Sequence, residues 1–340
     1  MTDGRGEARD TDPGEAPARK AVASGPRPRV SVIGGGAWGI ALALAAVDAG
    51  SDVCLYSRRG PAVTGARTTR TLRDATEHAK LLLVAVPSTV ARELARALGD
   101  LVDGQHAIVH GVRGLVLQPN GDLATIAEVL REETPVRRLG ALGGPALTDE
   151  LAAGKPSVIV VASRYAEVVR AVRGALGGRA LRIYSIEDLT GLEWASALTS
   201  ITAVAVGFAR GVGLGAGVLA AFVTRAVHEA ARIAAAAGAE ERTFLGLGGF
   251  GDLLAAIAED ARPEIRFGEA VARGATVEDA LASLGQRVEA IELAPRVAAF
   301  AAKHRVAAPI FTAVAHGIFA RKPAEELVAE LMMGPLTGPA

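Results

Sequence analysis

A run of glycines near the start of the chain limits its possible folds more than any other feature. The apolar, β-branched segment 30–33 ends at three consecutive glycines, 34–36. An Ala- and Leu-rich stretch, 37–49, comes next, and a second short apolar run occupies 52–56. This pattern predicts a strand, a tight turn, a helix and a second strand, which together make a βαβ unit. A chain that begins in this way is expected to form a parallel sheet covered by helices.

The turn itself matches the pattern G-x-G-x-x-G, with glycines at Gly34, Gly36 and Gly39. The first glycine of this pattern allows the tight turn, the second lets a pyrophosphate approach the backbone, and the third permits close packing of helix on strand. The free N–H groups at the start of the helix attract phosphate. A merely glycine-rich turn is the alternative. The strand before it and the helix after it favour a nucleotide site.

Strand-like and helix-like segments continue to alternate as far as residue 184. Further strands are predicted at 81–86, 106–110 and 157–161, and beyond residue 186 the periodicity is helical. We therefore predict an α/β fold class, with an N-terminal doubly wound parallel sheet of the Rossmann-like type and then an all-α C-terminal domain. The predicted parts are a disordered tail over 1–29, a dinucleotide-binding domain over 30–185 and a helical substrate domain over 186–335.

Two arginines, Arg58 and Arg59, follow the second predicted strand. Sites specific for NAD usually place an acidic residue here to bind the ribose 2′-hydroxyl, whereas arginine suits a 2′-phosphate. The pair therefore favours NADP, or the use of both NADP and NAD. A solvated pair of arginines is the alternative interpretation.

Composition excludes several classes of function. Lys and Arg total 37, and so do Asp and Glu, so the net charge is zero and we expect no nucleic-acid partner. The single cysteine, Cys54, excludes an intramolecular disulfide and a Cys-based metal site, so we predict no metal and a cytoplasmic location. The uncharged runs 30–47 and 211–224 fit a strand–turn–helix and a buried helix better than membrane spans. The apolar second half leaves room for a homodimer contact.

Short motifs spread over about residues 30–335 resemble the NAD(P)-dependent glycerol-3-phosphate dehydrogenase family. They are Gly-x-Gly-x-Trp-Gly with Trp38, Ala85-Val86-Pro87-Ser88, Gly144-Pro145, Thr243-Phe244-Leu245-Gly246, Gly249-Phe250-Gly251-Asp252-Leu253, Arg266-Phe267-Gly268, Val288-Glu289 and Pro309-Ile310. The resemblance implies hydride transfer between NAD(P)H and dihydroxyacetone phosphate, which gives sn-glycerol 3-phosphate. It thus implies NADP or NAD as cofactor and a small-molecule substrate.

Several positions that the resemblance marks as functional carry other residue types. The family's catalytic lysine, which supplies a proton, falls at Thr199, and its second lysine falls at Arg113. The aspartate of the Gly-x-Gly-Asp motif is kept as Asp252. A threonine hydroxyl carries no charge and is a poor acid near neutral pH. Arginine keeps the charge but replaces a point donor with a planar fork.

The phosphate-binding run of the family, Ser-Arg-Asn, aligns with Arg262, Pro263 and Glu264. Glu264 would repel a phosphate, and Arg262 would recover part of the lost charge. The resemblance implies a set of cofactor contacts: Gly34, Gly36, Ala37, Trp38, Gly39, Arg58, Arg59, Arg113, Thr148 and Glu289. It also implies a set of substrate contacts: Arg113, Gly144, Ala146, Asp252, Arg262, Pro263 and Glu264.

His110 ends a predicted strand three residues before Arg113, and strand ends face the cofactor crevice in such sheets. Since histidine is a common general acid, His110 is a candidate replacement acid beside Thr199 and Asp252. A hydrogen-bonded structural histidine is the alternative. Asp252 is expected to pair with Arg113 or Arg225, or to cap a helix.

Three functions stay open on sequence alone. The first is a dehydrogenase of the resembled family. The second is a dinucleotide-binding homologue that has lost turnover and acts as a sensor or regulator. The third is a dehydrogenase adapted to an unphosphorylated substrate, which Pro263 and Glu264 would tolerate.

Overall fold

The computed structural model describes residues 26–259, 262–315 and 326. The predicted tail, 1–29, lies mostly outside these residues, and the first strand begins at its last residue, Arg29. The strands are β1 Arg29–Ile33, β2 Asp52–Tyr56, β3 Arg67–Thr69, β4 Leu81–Val84, β5 Ala107–His110, β6 Val116–Leu117, β7 Leu123–Ala124, β8 Arg138–Gly143, β9 Ser157–Ala162 and β10 Leu181–Ile186.

Eight of these strands form one sheet, in the order β10-β9-β8-β5-β4-β1-β2-β3. Neighbouring strands are parallel except for β8 and β9, which pair antiparallel. The predicted fold class is confirmed, although the sheet is not wholly parallel as the sequence pattern predicted. The residues between β8 and β9, 144–156, return the chain to the sheet in the opposite direction. An apolar strand sequence is the same in either direction, so the pattern of residues does not reveal this pairing.

Helices cover both faces of the sheet and make up nearly all of the described chain after β10. They are α1 Ala37–Asp48, α2 Leu72–His78, α3 Ala91–Gly99, α4 Ile126–Glu133, α5 Thr148–Ala152, α6 Ala166–Leu176, α7 Leu189–Gly211, α8 Ala216–Ala236, α9 Glu241–Leu245, α10 Asp252–Glu259, α11 Pro263–Ala272, α12 Val277–Leu284, α13 Ala290–Lys303 and α14 Pro309–Ala313. A π-helical turn, Leu247–Gly251, joins α9 to α10.

The long helix α7 is the centre of the helical half. Its length and apolar composition would suffice to cross a membrane, and the whole of its apolar window is buried inside the protein. It packs closely on α11 because each helix presents a glycine to the other. A Cβ at Gly207 would overlap the carbonyl oxygen of Ile265, and one at Gly268 would overlap that of Val204. This close packing fixes the position of α11, and therefore of the residues at its start.

The order of the strands positions the cofactor crevice. The chain leaves β1 towards β2 on one side, while β4 and β5 lie on the other side of β1. Ligands of such sheets bind at the carboxyl ends of the strands where the direction of winding changes. Here these ends are Ile33, Val84 and His110.

A buried carboxylate joins α8 to α14. Glu229 Oε2 accepts hydrogen bonds from the backbone N–H groups of Ile310, at 2.9 Å, and Phe311, at 3.4 Å. Burial nevertheless raises the pKa of the Glu229 carboxyl from 4.5 to about 7, because the two hydrogen bonds offset the loss of water only in part. The folded state therefore favours the protonated carboxyl.

We predict that this group makes the stability of the protein depend on pH. Its stabilising contribution is complete below about pH 4.5, the unfolded pKa, and is lost as the pH rises to about 7. Between pH 5 and 8 it should lower the free energy of unfolding by about 2.5 kcal/mol. The Glu229→Gln variant keeps an acceptor for Ile310 and should lose this dependence in urea unfolding curves. The exposed Glu77→Gln is the control. An unchanged pH slope in Glu229→Gln would contradict the assignment.

Candidate functional site

The glycine turn has the geometry that its sequence predicted. Gly34 has a φ of +129°, and a Cβ there would overlap the carbonyl oxygen of Ala85. A Cβ on Gly39 would overlap the carbonyl oxygen of Gly34. Gly36, in contrast, has an extended backbone with φ −79°, and nothing lies within 4 Å of the position its Cβ would take. Two of the three glycines are therefore required by packing, and Gly36 faces open space.

The first turn of α1 is available to a ligand. Gly36 is its N-cap, and no side chain caps the free N–H groups. Ala37 is exposed, and Trp38 is half-buried with its indole nitrogen against Gly111, where a Cβ would overlap it. The uncapped N–H groups beside an open surface can hold a pyrophosphate. The residues present therefore fit a dinucleotide.

Arg58 and Arg59 lie directly after β2, on the side of the glycine turn. Both are exposed, and the N–H of Arg59 donates to Ser57 Oγ at 3.3 Å. The Ser57 side chain lies against the position that a Cβ on Gly35 would take. The two exposed arginines thus follow a serine whose side chain lies against the glycine turn.

A cluster of three charged side chains lies where the sheet meets the helical half. Arg113 Nη1 donates to Asp252 Oδ2 at 2.5 Å, and its Nη2 lies 3.3 Å from Oδ1. On the other side, Arg262 donates to both oxygens of Asp252. From the sequence, Asp252 was expected to pair with Arg113 or Arg225, or to cap a helix. In the structure Asp252 pairs with Arg113, which was one of the predicted partners. It also pairs with Arg262, which was not predicted as a partner.

The environment of Asp252 keeps it ionised. Its side chain is 0% exposed, and burial alone would raise the pKa of the carboxyl. The charges and hydrogen bonds of Arg113 and Arg262 outweigh burial and lower the pKa below its ordinary value. Burial acts on Arg113 in the opposite sense, but Asp252 outweighs it and raises the pKa of the guanidinium. Asp252 and Arg113 are therefore both charged at neutral pH.

The residue at the expected lysine position contributes no charge to this cluster. Thr199 is 0% exposed on α7, and its hydroxyl donates to the carbonyl oxygen of Gly249 at 3.4 Å, in the π-helical turn. The next residue, Ser200, donates to Glu264 Oε1 at 2.9 Å. Pro263 is the first residue of α11. The predicted substrate positions 262–264 are therefore brought to α7 and Asp252.

His110 is buried in the protein interior. Its Nε2 lies 3.0 Å from Glu193 Oε1, without the geometry of a hydrogen bond, and both side chains are 1% exposed. Its Nδ1 accepts from the N–H of Val112 at 3.4 Å, and Glu193 Oε1 accepts from Ala127 N–H at 2.8 Å. Sequence reasoning did not include Glu193, although a glutamate within the apolar stretch of α7 is a signal that it has a buried partner.

The remaining predicted residues lie on three connections: after β4, after β8 and before α13. Glu289 accepts from Ser88 Oγ at 2.5 Å and from the Ser88 N–H at 3.3 Å, which joins the start of α13 to the residues after β4. The Cβ position of Gly114 is 3.1 Å from Glu289 Oε2. After β8, Gly144 has a φ of +97°. Ala146 is buried and Thr148 begins α5, farther along the same connection.

A glycine turn at the switch point of the sheet, together with a charged cluster between the sheet and the helical half, is typical of a two-domain, dinucleotide-binding oxidoreductase. The chain belongs to the NAD-dependent glycerol-3-phosphate dehydrogenase family. The family model of the N-terminus matches residues 61–169, and that of the C-terminus matches residues 188–329.

Curated relatives match this chain over most of its length. A glycerol-3-phosphate dehydrogenase [NAD(P)+] of Halorhodospira halophila is 34% identical, with 89% of this chain and 96% of the relative covered. The protein of the same name from an Exiguobacterium is 31% identical, with 90% and 95% covered. The crystal structure of glycerol-3-phosphate dehydrogenase from Coxiella burnetii has a TM-score of 0.83 and 26% identity, with 89% of this chain and 98% of that chain covered.

Because nothing lies near the Cβ position of Gly36, a substitution there is predicted to affect cofactor binding and not stability. Alanine there is compatible with the backbone and meets no neighbour, so Gly36→Ala should change the free energy of unfolding by less than about 1 kcal/mol. Its methyl group would occupy the space of the pyrophosphate, so NADPH affinity should fall at least about tenfold. NADPH fluorescence titration measures this. Gly174→Ala, also in open space, is the matched control. A Gly36→Ala variant that binds NADPH as tightly as the unmodified protein would refute the site.

Proposed function

We propose that this protein is an NAD(P)-dependent dehydrogenase that interconverts dihydroxyacetone phosphate and sn-glycerol 3-phosphate. One observation carries the proposal. Arg113, just beyond the carboxyl end of β5, reaches Asp252 of the helical half, so a cation is held at the same edge of the sheet as the glycine turn. The names of the full-length relatives support the same reaction.

The cofactor would lie along the glycine turn. Gly36 and the first turn of α1 would hold the pyrophosphate, and Arg58 and Arg59 would bind a 2′-phosphate, which favours NADP over NAD. When bound, the nicotinamide supplies the hydride. Glu289, which lies next to Gly114 and Ser88, would contact the cofactor from the side of α13.

The chemistry at the substrate would depend on Arg113. As hydride reaches the carbonyl carbon, negative charge develops on the oxygen, and a guanidinium stabilises that charge. Arginine remains protonated in proteins, so it gives no proton to the product. In this proposal the proton comes from solvent water rather than from His110, whose ring is buried against Glu193. Thr199 contributes packing and no charge.

A second candidate function is a dinucleotide-binding protein without turnover. It is favoured by one specific observation. The hydroxyl of Thr199, at the lysine position, is bonded to Gly249, and both nearby arginines are bonded to Asp252. Glu264, buried beside Ser200, separately favours a substrate without a phosphate group.

The proposal includes the kind of substrate, a cytoplasmic location and a homodimer contact. A small-molecule substrate follows from the dehydrogenase relatives. The one cysteine, Cys54, is buried and free, which suits a reducing cytoplasm. The exposed Val218, in the uncharged first half of α8, supports a homodimer contact on that helix.

We predict slow but measurable turnover. Purified protein with NADPH and dihydroxyacetone phosphate should consume NADPH at a rate about 10²- to 10⁴-fold below that of an enzyme with a positioned acid. Arg113→Met should abolish this turnover while NADPH binding persists. Binding without any turnover would support the second candidate. Oxidation of NADPH only by unphosphorylated hydroxyketones would support the third function, and the absence of NADPH binding would contradict all three.

Cofactor preference gives a separate prediction. The double variant Arg58→Ala, Arg59→Ala removes both charged donors, so its NADPH affinity should fall about tenfold or more, as expected for hydrogen bonds to charged groups. Its NADH affinity should change little, because NADH lacks the 2′-phosphate. Arg179→Ala, an exposed arginine at the amino end of β10, is the control. Equal losses for NADH and NADPH would show that the two arginines do not select the cofactor.

A further inference from the structure

Arg262, which lies at neither of the two expected lysine positions, contributes to the charge of the substrate cleft. Asp252 is completely buried, and its two arginine partners differ in exposure. The Arg113 side chain is 29% exposed and can face a ligand, whereas the Arg262 side chain is only 9% exposed. Arg262 therefore acts mainly on Asp252, and Arg113 is the group of the pair that meets the substrate.

Arg262 changes the net charge of the substrate cleft. Glu264 is also buried, bonded to Ser200, and its negative charge acts on Arg113. Arg113, Asp252 and Glu264 alone would give the cleft a net charge of −1. Hydride transfer to a carbonyl adds negative charge at this place, and a net negative site would oppose it. Arg262 brings the sum of the four groups to zero.

Position 199 cannot provide the missing charge. The Thr199 side chain is an uncharged hydroxyl, fully buried and bonded to the carbonyl oxygen of Gly249. A cation for this part of the cleft has to come from another segment. Arg262 comes from the start of α11, ten residues after Asp252, and bonds to both carboxylate oxygens.

The local sequence holds Arg262 in place. Pro263 begins α11, and a residue before proline is restricted to extended backbone. Arg262 has φ −83° and ψ 136°, in agreement with this restriction. The helix that follows is fixed on α7 through Gly268. The Arg-Pro pair thus places a guanidinium on Asp252 with little loss of backbone entropy on folding.

We infer that Arg262 is a positioning residue that supplies, through Asp252, a second positive charge to the substrate cleft. It satisfies the carboxylate, so that the charge of Arg113 remains effective at the substrate. This inference rests on the proposed dehydrogenase function.

The test uses the purified full-length protein with NADPH and dihydroxyacetone phosphate. Arg262→Gln should lower kcat on the order of 10²-fold, with NADPH affinity unchanged. Adding Glu264→Gln to that variant removes one negative charge and keeps the acceptor for Ser200. The double variant should recover at least about tenfold in kcat without recovering the melting temperature. Glu269→Gln on the same helix is the matched control and should recover nothing.

Each outcome decides the inference. An unchanged kcat in Arg262→Gln overturns it, and so does a loss that Glu264→Gln fails to recover, because a purely structural role gives that result. If Arg262→Gln does not fold, Glu264→Gln alone is measured in the otherwise unmodified protein. A rise in kcat supports the inference, and an unchanged or lower kcat overturns it. Arg262→Lys keeps the charge and should keep kcat within about tenfold.

Failure of the proposed function is distinguishable from failure of this inference. If the unmodified protein reduces no dihydroxyacetone phosphate, the proposed function fails, and calorimetry with sn-glycerol 3-phosphate in the presence of NADP then tests the charge. Binding that is at least about tenfold weaker in Arg262→Gln supports the inference. Equal affinity in the two proteins, or no binding to either, overturns it.

Discussion

The buried carboxylate of Asp252 is the interaction on which the rest of the site depends. A carboxylate with no exposed surface is costly unless cations and hydrogen bonds replace its water, and here two guanidinium groups do so. Arg113 comes from the loop after strand β5, whereas Asp252 and Arg262 come from the helical half. The need to satisfy one charge therefore holds the two halves together at the place where cofactor and substrate would meet.

The packing of the helical half supports this arrangement. Gly207 and Gly268 let α7 and α11 approach closely, and this contact fixes where α11 begins. The start of α11 carries both Arg262 and Glu264, so the same packing that forms the core also sets the charge of the cleft. A cation reaches Asp252 from the segment before α11, whereas the residue at position 199 of α7 is an uncharged, buried threonine.

The parts of the molecule that local chemistry determines could be predicted from the sequence. The glycine turn, the strands around it and the change to helices after residue 186 follow from residue type and periodicity. The antiparallel pairing of β8 with β9 and the burial of His110 against Glu193 depend on contacts distant in sequence, which no local pattern records. The bond from Arg262 to Asp252 was missed because alignment suggested a phosphate ligand, whereas its partner depends on how α11 packs.

The central claim is that the cleft directs hydride from a nicotinamide cofactor to a carbonyl carbon, with Arg113 stabilising the charge. Isotope transfer tests this most directly. The protein is incubated with dihydroxyacetone phosphate and NADPH that carries deuterium at the transferable position of the nicotinamide, and the product is analysed by mass spectrometry. The account predicts glycerol 3-phosphate with deuterium on its central carbon. NADPH that binds tightly yet leaves no deuterium in any product would contradict it.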